Sequence, residues 1–500
     1  MLGFSSHMVS ISTQQRTRIS VAAVFLGGAI VVSGLVLTPK AGLLVLGGGA
    51  LLGLLAVIIH VCQGRIDGVM LMWAAFFPLG SLVMFPRERS IVTLERVVVL
   101  LACVGLLWVK PSRLVSIPVS LRRAGLACLA FIAVAGATLV KSPDRLSAGR
   151  LLSDSFLIPL LFGWCVIAWF EVRRCLRAIH TAVCVSSIIC AAVAAAEIAT
   201  GKDLLPIEGS KLYFSAGIAR PNGPFASNDQ LALVGGLSLF FLLFLHAALG
   251  PNLSAGRRVL HVLGTAAAIG NALTPMFRSV ALALMLALVI DTVWEKKTSR
   301  RAWRGALILA FAGLIFSVSA FAPAVFEDRS SAANVYGRLA EGEQSLRVFR
   351  DHPLVGVGFS NFNRFVSDDP RYEASYDGVS SVDWPHNNIA TALTETGTLG
   401  FIPYMLTHVF LLVAFWRLGS RSSAGSLVWK YSVYMFLTYW LTGMTESTGF
   451  ELLNAWYAFV LAVCYKFALT EPDPSLPTKA QVPVDGLSAS ARIFSPGFLR

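Results

Sequence analysis

The sequence is poor in charged side chains, which make up only 14 % of its 500 residues, while hydrophobic residues make up 55 %. A soluble domain carries about 25 % charged residues, so a water-soluble globular protein is excluded. The mean hydropathy of +0.68 agrees with that exclusion. The sequence also lacks short segments of alternating apolar and polar residues, and this absence excludes a transmembrane β-barrel.

Cysteine is scarce, and its placement excludes two kinds of site. All eight cysteines fall in or at the ends of apolar runs, and no CxxC pattern occurs. A disulfide in an outward loop is therefore excluded, and the cysteines are interpreted as small buried hydrophobic residues. The sequence shows no internal repeat, which argues against the inverted repeats that are common in secondary transporters.

Apolar runs of about 20 residues recur along the chain, each long enough to cross a hydrocarbon core of roughly 30 Å. They predict an all-α polytopic membrane protein with about 12–14 transmembrane helices and one large periplasmic loop carrying short helices. The predicted spans lie near residues 19–39, 42–62, 66–86, 91–109, 124–141, 151–170, 175–199, 229–249, 259–277, 279–294, 304–326, 399–416, 429–446 and 450–468. The first span has a long leader and a full-width apolar core, so it is interpreted as a retained anchor.

Positive charge sets the predicted orientation. If the N-terminus faces the cytoplasm, the loops on that side are short, basic and nearly free of acids, as the positive-inside rule requires. The stretch 327–385 mixes six arginines with ten acids, so it is predicted to face the periplasm, with His386 on the same side. The net charge of +13 is explained by the cytoplasmic anchors, which suit anionic membrane lipids, and it requires no nucleic acid.

The predicted organisation is one membrane domain interrupted by a loop. Its parts are a cytoplasmic tail at 1–18, transmembrane helices at 19–326, a periplasmic loop with a catalytic helix at 327–398, C-terminal transmembrane helices at 399–470 and a disordered cytoplasmic tail at 471–500. Within the loop we predict a helix ending before Pro353, a tight turn at Gly356 and Gly358, an irregular segment at 365–385, and a short helix from His386 to Gly397.

Four polar clusters lie where predicted spans meet the periplasmic side. They contain Arg220 in ARPNGPFASND, Arg278 in LTPMFRS, Arg338 in the loop helix and His386 in WPHNNIATALTETGTLGF. Each residue also has a structural explanation, because arginine at a helix end reaches the headgroups and histidine before a helix can cap it. In combination they suit a different role. Arginine binds phosphate oxygens, and histidine can take a proton from an alcohol, as transfer of a group from a lipid-linked pyrophosphate to a hydroxyl requires.

The order of these motifs resembles the O-antigen ligase and O-antigen polymerase superfamily. The matching pieces are RPNGPFASND at 220–229, LTPMFRS at 273–279, the stretch from Arg338 through HPLVGVGFSNF, and HNNIATALTETGTLGF at 386–401. The resemblance covers roughly residues 220–450. It implies transfer of a glycan from undecaprenyl pyrophosphate, in the periplasm at the bacterial inner membrane, without a metal or another cofactor.

The resemblance also assigns roles to residues. His386 is expected to be the catalytic base, and Arg278 and Arg338 are expected to engage the donor pyrophosphate. Arg220, Asn387, Thr394 and Glu395 are the candidate substrate-binding residues. At about 100° per residue, Glu395 falls on the face of the helix opposite His386, so a structural role is preferred for it.

Several alternatives stay open at this point. The acceptor is a glycan in a polymerase or lipid A-core in a ligase, and polymerase-type exopolysaccharide or O-antigen assembly is slightly preferred. A chain-length regulator or copolymerase is a candidate partner. A transporter or flippase of lipid-linked sugars is the more distant alternative, with Glu95, Asp154 and Glu197 as acids for a proton path. A metal-dependent membrane glycosyltransferase is disfavoured because the first outward loop, around Lys40, carries no acid.

Overall fold

The computed structural model describes residues 66–82, 93–109, 117–205, 210–251, 253–321, 324, 331–381, 384–446 and 454–470. The predicted tails at 1–18 and 471–500 and the predicted spans at 19–39 and 42–62 lie outside the described residues. Within the described part, five helices are long and apolar enough to cross a membrane by length and composition. The chain is an all-α polytopic membrane protein, as predicted.

The elements follow one another in three groups. The first comprises α1 (Ile66–Phe76), α2 (Leu94–Val109), α3 (Val119–Thr138), α4 (Arg145–Leu152), α5 (Ile158–Trp169) and α6 (Val172–Thr200). The second comprises the hairpin of β1 (Tyr213–Ser215) and β2 (Ile218–Arg220), then α7 (Asn228–Leu249), α8 (Ala255–Leu273), α9 (Arg278–Trp294) and α10 (Thr298–Phe321). The third comprises α11 (Ala332–Asp351), α12 (Phe362–Ser367), the hairpin of β3 (Ser375–Tyr376) and β4 (Val379–Ser380), then α13 (Asn388–Gly419), α14 (Ser423–Gly443) and α15 (Asn454–Leu469).

The helices pack through buried aromatic rings and through small residues. Trp73 of α1 meets Phe162 of α5 and Phe459 of α15, with ring centroids 4.4 and 5.3 Å apart. Gly235 of α7 lies so close to α8 that a Cβ there would stand 2.7 Å from the carbonyl carbon of Asn271. Lipid tails are as apolar as these side chains, so close packing of this kind is what favours helix association in a membrane.

The long loop (residues 331–387) is anchored to the membrane helices at a break in α13. Gly397 interrupts α13 with a left-handed φ of 62°. The carbonyl groups of Thr394 and Glu395 accept hydrogen bonds from the N–H groups of Val357 and Gly358, at 2.8 and 2.9 Å. In exchange, the N–H groups of Thr398 and Leu399 donate to the carbonyl groups of Pro353 and Leu354. We call this contact, between residues 353–360 and 394–399, the kink junction.

Glycines make the kink junction geometrically feasible. Gly356 and Gly358 have φ values of 63° and 111°, so the turn predicted there is present. A Cβ at Gly356 would clash with the backbone of Glu395, and one at Gly397 would clash with the backbone of Leu354. The side chain of Lys141 also donates to the carbonyl of Gly356 at 2.7 Å. The turn is thus held both by Lys141, which follows α3, and by α13.

Two sequence-based boundaries need correction. The helix predicted from His386 does end at Gly397, where the backbone of α13 is non-helical, and the span predicted at 399–416 follows that break. That helix begins at Asn388, so His386 precedes it. The segment predicted to be irregular contains α12 and the β3–β4 hairpin, whose Asp377–Gly378 turn has φ values of 49° and 77°. The loop helix does end before Pro353, as predicted, although α11 begins earlier, at Ala332.

Candidate active site

His386 and Glu446 meet from distant parts of the chain. His386 lies two residues before α13, and Glu446 lies three residues after α14. Nδ1 of His386 is 2.6 Å from Oε2 of Glu446. Because a carboxylate only accepts hydrogen bonds, this contact favours the tautomer that carries the proton on Nδ1 and leaves Nε2 as the basic nitrogen. The two side chains are 27 % and 21 % exposed, so molecules outside the bundle can reach them.

Arg338 binds the other oxygen of the same carboxylate. Its Nη2 is 3.2 Å from Oε1 of Glu446, and its Nη1 is 3.0 Å from Oε2 of Glu341, one turn further along α11. The Arg338 side chain is 45 % exposed. Glu446 therefore holds an imidazole and a guanidinium together, and the remaining guanidinium N–H groups are open to a further anion.

Glu341 is the most enclosed acid of this group. Burial raises its pKa above the ordinary glutamate value, against the opposing charges of Arg338 and His386, and repulsion from Glu446 adds to the rise. A buried carboxyl with a raised pKa, close to an imidazole and a guanidinium, is typical of functional sites. Such a region is a candidate site for proton transfer.

Asn387 positions His386 at the start of α13. Its Oδ1 accepts hydrogen bonds from the N–H groups of Ile389 and Ala390, at 2.8 and 3.3 Å, and so caps the helix. Its Nδ2 donates to the carbonyl of Met444 at 3.3 Å, two residues before Glu446. The residue thus ties together the two segments that carry His386 and Glu446. Its assignment to substrate binding stays a prediction.

Arg278 opens α9 beside the same segment. It is exposed, and among the described residues its side chain has no hydrogen bond or ion pair. The hydroxyl of Thr445, next to Glu446, donates to Oγ of Ser279 at 2.9 Å, so the start of α9 contacts the Glu446 segment. A helix N-terminus carries partial positive charge, and a cation there without an acidic partner favours an anionic ligand.

Arg220 supports the turn before Arg278. It lies on β2, is 8 % exposed and donates from Nε to the carbonyl of Pro275 at 3.0 Å. The guanidinium therefore contacts the backbone of the LTPMFRS segment, in which Met276 has a φ of 56°. This contact brings the RPNG and LTPMFRS motifs together. Arg220 as a substrate-binding residue stays a prediction.

Thr394 and Glu395 lie in the kink junction. Oε2 of Glu395 accepts a hydrogen bond from the N–H of Ser360 at 2.8 Å, and the Thr394 hydroxyl donates to the carbonyl of Ala390. Both residues are almost completely buried. These contacts agree with the structural role preferred for Glu395. Within the described chain no contact joins either residue to His386, so their assignment to substrate binding stays a prediction.

Residues 228–405 match the family model described as O-antigen ligase. This match supports the resemblance to the O-antigen ligase/polymerase superfamily. No curated protein matches the chain. The family implies ligase/polymerase-type glycosyl transfer from a lipid-linked glycan donor to a glycan acceptor. With five long apolar helices in its described part and a segment that matches this family model, the protein is a multi-pass membrane protein.

The O-antigen ligase segment includes Arg278, Arg338 and His386 but begins after Arg220 and ends before Glu446. Glu446 was not among the residues predicted from the sequence. A signal for it exists: within GMTESTG it is the first acid after Glu395, and it stands where a predicted span ends on the His386 side. An acid at such a border is a candidate partner for the arginines and the histidine there.

Two of the three acids considered for a transporter, Asp154 and Glu197, have structural partners. Asp154 forms a two-point contact with Arg96, at 2.7 and 2.6 Å. Glu197 accepts hydrogen bonds from the N–H groups of Asn222 and Gly223, at 2.9 and 2.8 Å, and so holds the RPNG loop. The side chain of Glu95 lies outside the described part of the structure. The contacts of Asp154 and Glu197 thus have an explanation that requires no proton path.

Proposed function

We propose that the protein is a metal-independent glycosyltransferase of the bacterial inner membrane. It transfers an oligosaccharide from undecaprenyl pyrophosphate to a glycan hydroxyl at the periplasmic face, in exopolysaccharide or O-antigen biosynthesis. The observation that carries the proposal is the sharing of the Glu446 carboxylate by His386 and Arg338. An imidazole and a guanidinium are thereby held at one exposed corner, in a chain with a segment that matches the O-antigen ligase family model.

The proposed reaction follows from the orientation of His386. Nε2 takes the proton from the acceptor hydroxyl as its oxygen attacks the anomeric carbon of the donor glycan. The bond between that carbon and the pyrophosphate oxygen breaks, and undecaprenyl pyrophosphate leaves. Glu446 accepts the Nδ1 hydrogen bond and stabilises the imidazolium that forms, as a carboxylate does behind a catalytic histidine.

The arginines act on the leaving group. Negative charge grows on the pyrophosphate as the glycosidic bond breaks, and fixed guanidinium groups stabilise that charge. Arg278 is the stronger candidate for direct binding, because it is exposed and has no partner among the described residues. Arg338 is partly neutralised by Glu341 and Glu446, so it both orients Glu446 and binds the donor through its exposed edge.

A deletion strain of the source organism tests the proposal. It is complemented with the wild-type gene or with His386→Ala, and its lipopolysaccharide and secreted polysaccharide are compared on gels. Single repeats, or no exopolysaccharide, in the deletion strain support a polymerase. Polymer that is made but not attached to lipid A-core supports the ligase alternative. Unchanged glycans of every kind would count against the proposal and leave the transporter alternative standing.

The variants need a matched control for expression and folding. His352→Gln is suitable, because His352 lies in the same long loop and its ring contacts Phe365 at a centroid distance of 5.1 Å. We expect His352→Gln to restore the glycan, and His386→Ala to fail at the same level in the membrane. Restoration by His386→Ala would overturn the proposed role of His386.

A further inference from the structure

Three side-chain oxygens around the RPNG loop (residues 220–223) are buried and have no hydrogen-bond partner among the described residues. They are Oε1 of Glu197, Oδ1 of Asp203 and Oδ1 of Asn222. Glu197 lies in the last turn of α6, and both Glu197 and Asn222 are completely buried. Buried polar atoms in folded proteins are nearly always paired, so three orphaned acceptors in one place indicate a bound ion, a proton or a water.

The three oxygens belong to one group of side chains. The N–H groups of Asn222 and Gly223 donate to Oε2 of Glu197, so the loop lies directly against this carboxylate. Asp203 follows the end of α6 and is close enough for its charge to act on Glu197. Its Oδ2 accepts a hydrogen bond from the Ser210 hydroxyl at 2.7 Å, which leaves Oδ1 without a donor. Two carboxylates and one amide thus meet where α6 joins the RPNG loop.

The negative charge of this group is not neutralised by the described part of the chain. Glu197 and Asp203 form no ion pair there, and their charges repel one another. The nearest lysines in the sequence, Lys202 and Lys211, are exposed. Buried carboxylates occur paired, protonated or bound to a metal ion. Since no cationic side chain pairs with these two, a proton or a metal cation is the remaining explanation.

The number and kind of oxygens favour a hard cation over a proton. A proton on Oε1 of Glu197 makes one hydrogen bond and leaves one of the other two oxygens without a partner, whereas a cation binds all three. Carboxylate and amide oxygens are the ligands that Ca²⁺ takes, while Zn²⁺ is bound mainly by nitrogen and sulfur. Among the described residues no three histidine, cysteine or acidic side chains form a metal site, so the Asn222 amide is needed to complete this one.

We propose that Glu197, Asp203 and Asn222 bind one calcium ion. Water and backbone carbonyl groups complete the coordination, as is usual for Ca²⁺. The ion ties the end of α6 to the RPNG loop. Arg220 in that loop donates to the carbonyl of Pro275, so the ion stabilises the segment that supports the turn before Arg278. It is a structural ion, and it takes no part in the proposed glycosyl transfer.

Calcium binding to the purified full-length protein tests this site. The protein is stripped with a chelator in non-ionic detergent, and the bound ions are counted by equilibrium dialysis against radioactive Ca²⁺. The melting temperature is then measured in CaCl₂, MgCl₂ and NaCl at equal ionic strength. We expect one ion per chain, with a dissociation constant of about 10⁻⁴–10⁻³ M as in weak extracellular calcium sites. Saturation with Ca²⁺ should raise the melting temperature by about 1–3 °C, and Mg²⁺ should raise it less.

Glu197→Gln and Asp203→Asn are each expected to weaken calcium binding about tenfold or more, because a charged ligand is lost. Asp368→Asn is the matched control, since it removes the same charge from a side chain that is 72 % exposed. This control should keep the full response to Ca²⁺. Equal responses in the wild type and all three variants would overturn the proposal, because surface carboxylates would then explain the binding.

The proton and other cations give distinct results. A glutamine at 197 donates a hydrogen bond as a protonated glutamate does. If the wild type does not respond to Ca²⁺ and Glu197→Gln melts at the wild-type temperature, Glu197 carries a proton and the proposal is wrong. An equal response to Mg²⁺ would overturn the calcium assignment. If Glu197→Gln fails to fold, Asp203→Asn replaces it, because Asp203 is only half-buried.

The calcium site and the proposed reaction are tested separately. His386→Ala keeps every ligand of the ion, so it is expected to respond to Ca²⁺ like the wild type while it fails to restore the glycan. Loss of the calcium response in His386→Ala would contradict a site formed by Glu197, Asp203 and Asn222 alone.

Discussion

The kink junction and the His386 site lie at opposite ends of the stretch from His386 to Leu399. They differ in how completely their polar groups form hydrogen bonds or ion pairs. At the kink junction, the backbone groups released by the break at Gly397 are paired with the turn at 353–358. At the His386 site, the His386 and Arg338 side chains remain 27 % and 45 % exposed, and Arg278 has no partner among the described residues. One stretch thus fixes the backbone at one end and leaves side chains open to a ligand at the other.

The kink junction and the His386 site therefore have different roles. Gly356 and Gly397 are required because a Cβ at either position would clash with the backbone. Glu395 is required because, among the described residues, its carboxylate is the acid that accepts the hydrogen bond of the Ser360 N–H. His386 and its partners are not required by the fold in this way, since the group stands at the edge of the bundle. Substitutions at the two ends should therefore separate folding from activity.

The largest effect is expected from breaking the kink junction. Gly397→Val combines a left-handed φ with a clash against Leu354, so we expect a loss of more than about 3 kcal/mol in stability and very little folded protein. The melting temperature and the yield of monodisperse protein in detergent measure this. Gly342→Ala, in an open position on α11, is the matched control, and a gain of about 0.5–1 kcal/mol is expected for it. Normal folding of Gly397→Val would contradict the structural role of the kink junction.

The next effect separates activity from folding at the His386 site. His386→Gln should lower glycosyl transfer by about 10²–10⁴-fold because the proton acceptor is lost, while the melting temperature stays near that of the wild type. Glu446→Gln should lower it in the same direction, because the amide can no longer accept the Nδ1 hydrogen bond as a charged partner. Transfer from a purified lipid-linked donor is the measurement. Full activity of Glu446→Gln would mean that Glu446 has no part in the reaction.

A smaller effect should distinguish the donor-binding arginines from structural ones. Arg278→Gln is expected to lower kcat/KM for the donor about tenfold or more, through a lost charge-assisted contact, and Arg278→Lys should lower it less. Arg364→Gln is the control, since Arg364 is exposed and its ion pair with Asp368 is long, at 3.5 Å. Equal losses in Arg278→Gln and Arg364→Gln would show that only general charge matters.

The smallest effect is a pair of opposed pH dependences on α11. Burial raises the pKa of Glu341, so its contribution to stability is present below the ordinary glutamate pKa and is lost as pH rises through the raised value. Hydrogen bonds from Tyr376 and then Arg347 lower the pKa of Glu343, so its contribution is present above the ordinary value and is lost as pH falls through the lowered one. The measurement is the difference in melting temperature between each variant and the wild type across acidic pH. As pH changes, this difference should move in opposite directions for Glu341→Gln and Glu343→Gln. Shifts of the same sign would contradict the two environments.

The membrane helices were largely predictable because length and apolarity alone define them. The ends of α6 and α7 differ from the predicted spans by only a few residues, since glycine follows each helix directly. The break in α13 was predicted only as a boundary at Gly397. The hydrogen bonds at this break come from residues some forty positions earlier, and no local sequence pattern predicts them.

The residues of the candidate site were likewise predictable singly, whereas their contacts with one another were not. His386, Arg278 and Arg338 were identifiable because charged groups at a membrane border are costly. The pairing of His386 with Glu446 was not, because the two residues are 60 positions apart and meet only after α13 and α14 fold together. The capping role of Asn387 was not predicted either, because the helix was expected to begin at His386 and Asn387 was assigned to substrate binding.

The exchange of backbone hydrogen bonds at Gly397 also bears on how the chain enters the membrane. A break within a span leaves peptide groups bare, and each bare group costs several kcal/mol in hydrocarbon. The partners at 353–358 are synthesised before α13, so they are already present in the chain when this span inserts. We therefore expect α13 to be a poor insertion substrate by itself and a competent one when the preceding loop is present. The order of the two segments in the gene then becomes part of what makes the protein assemble.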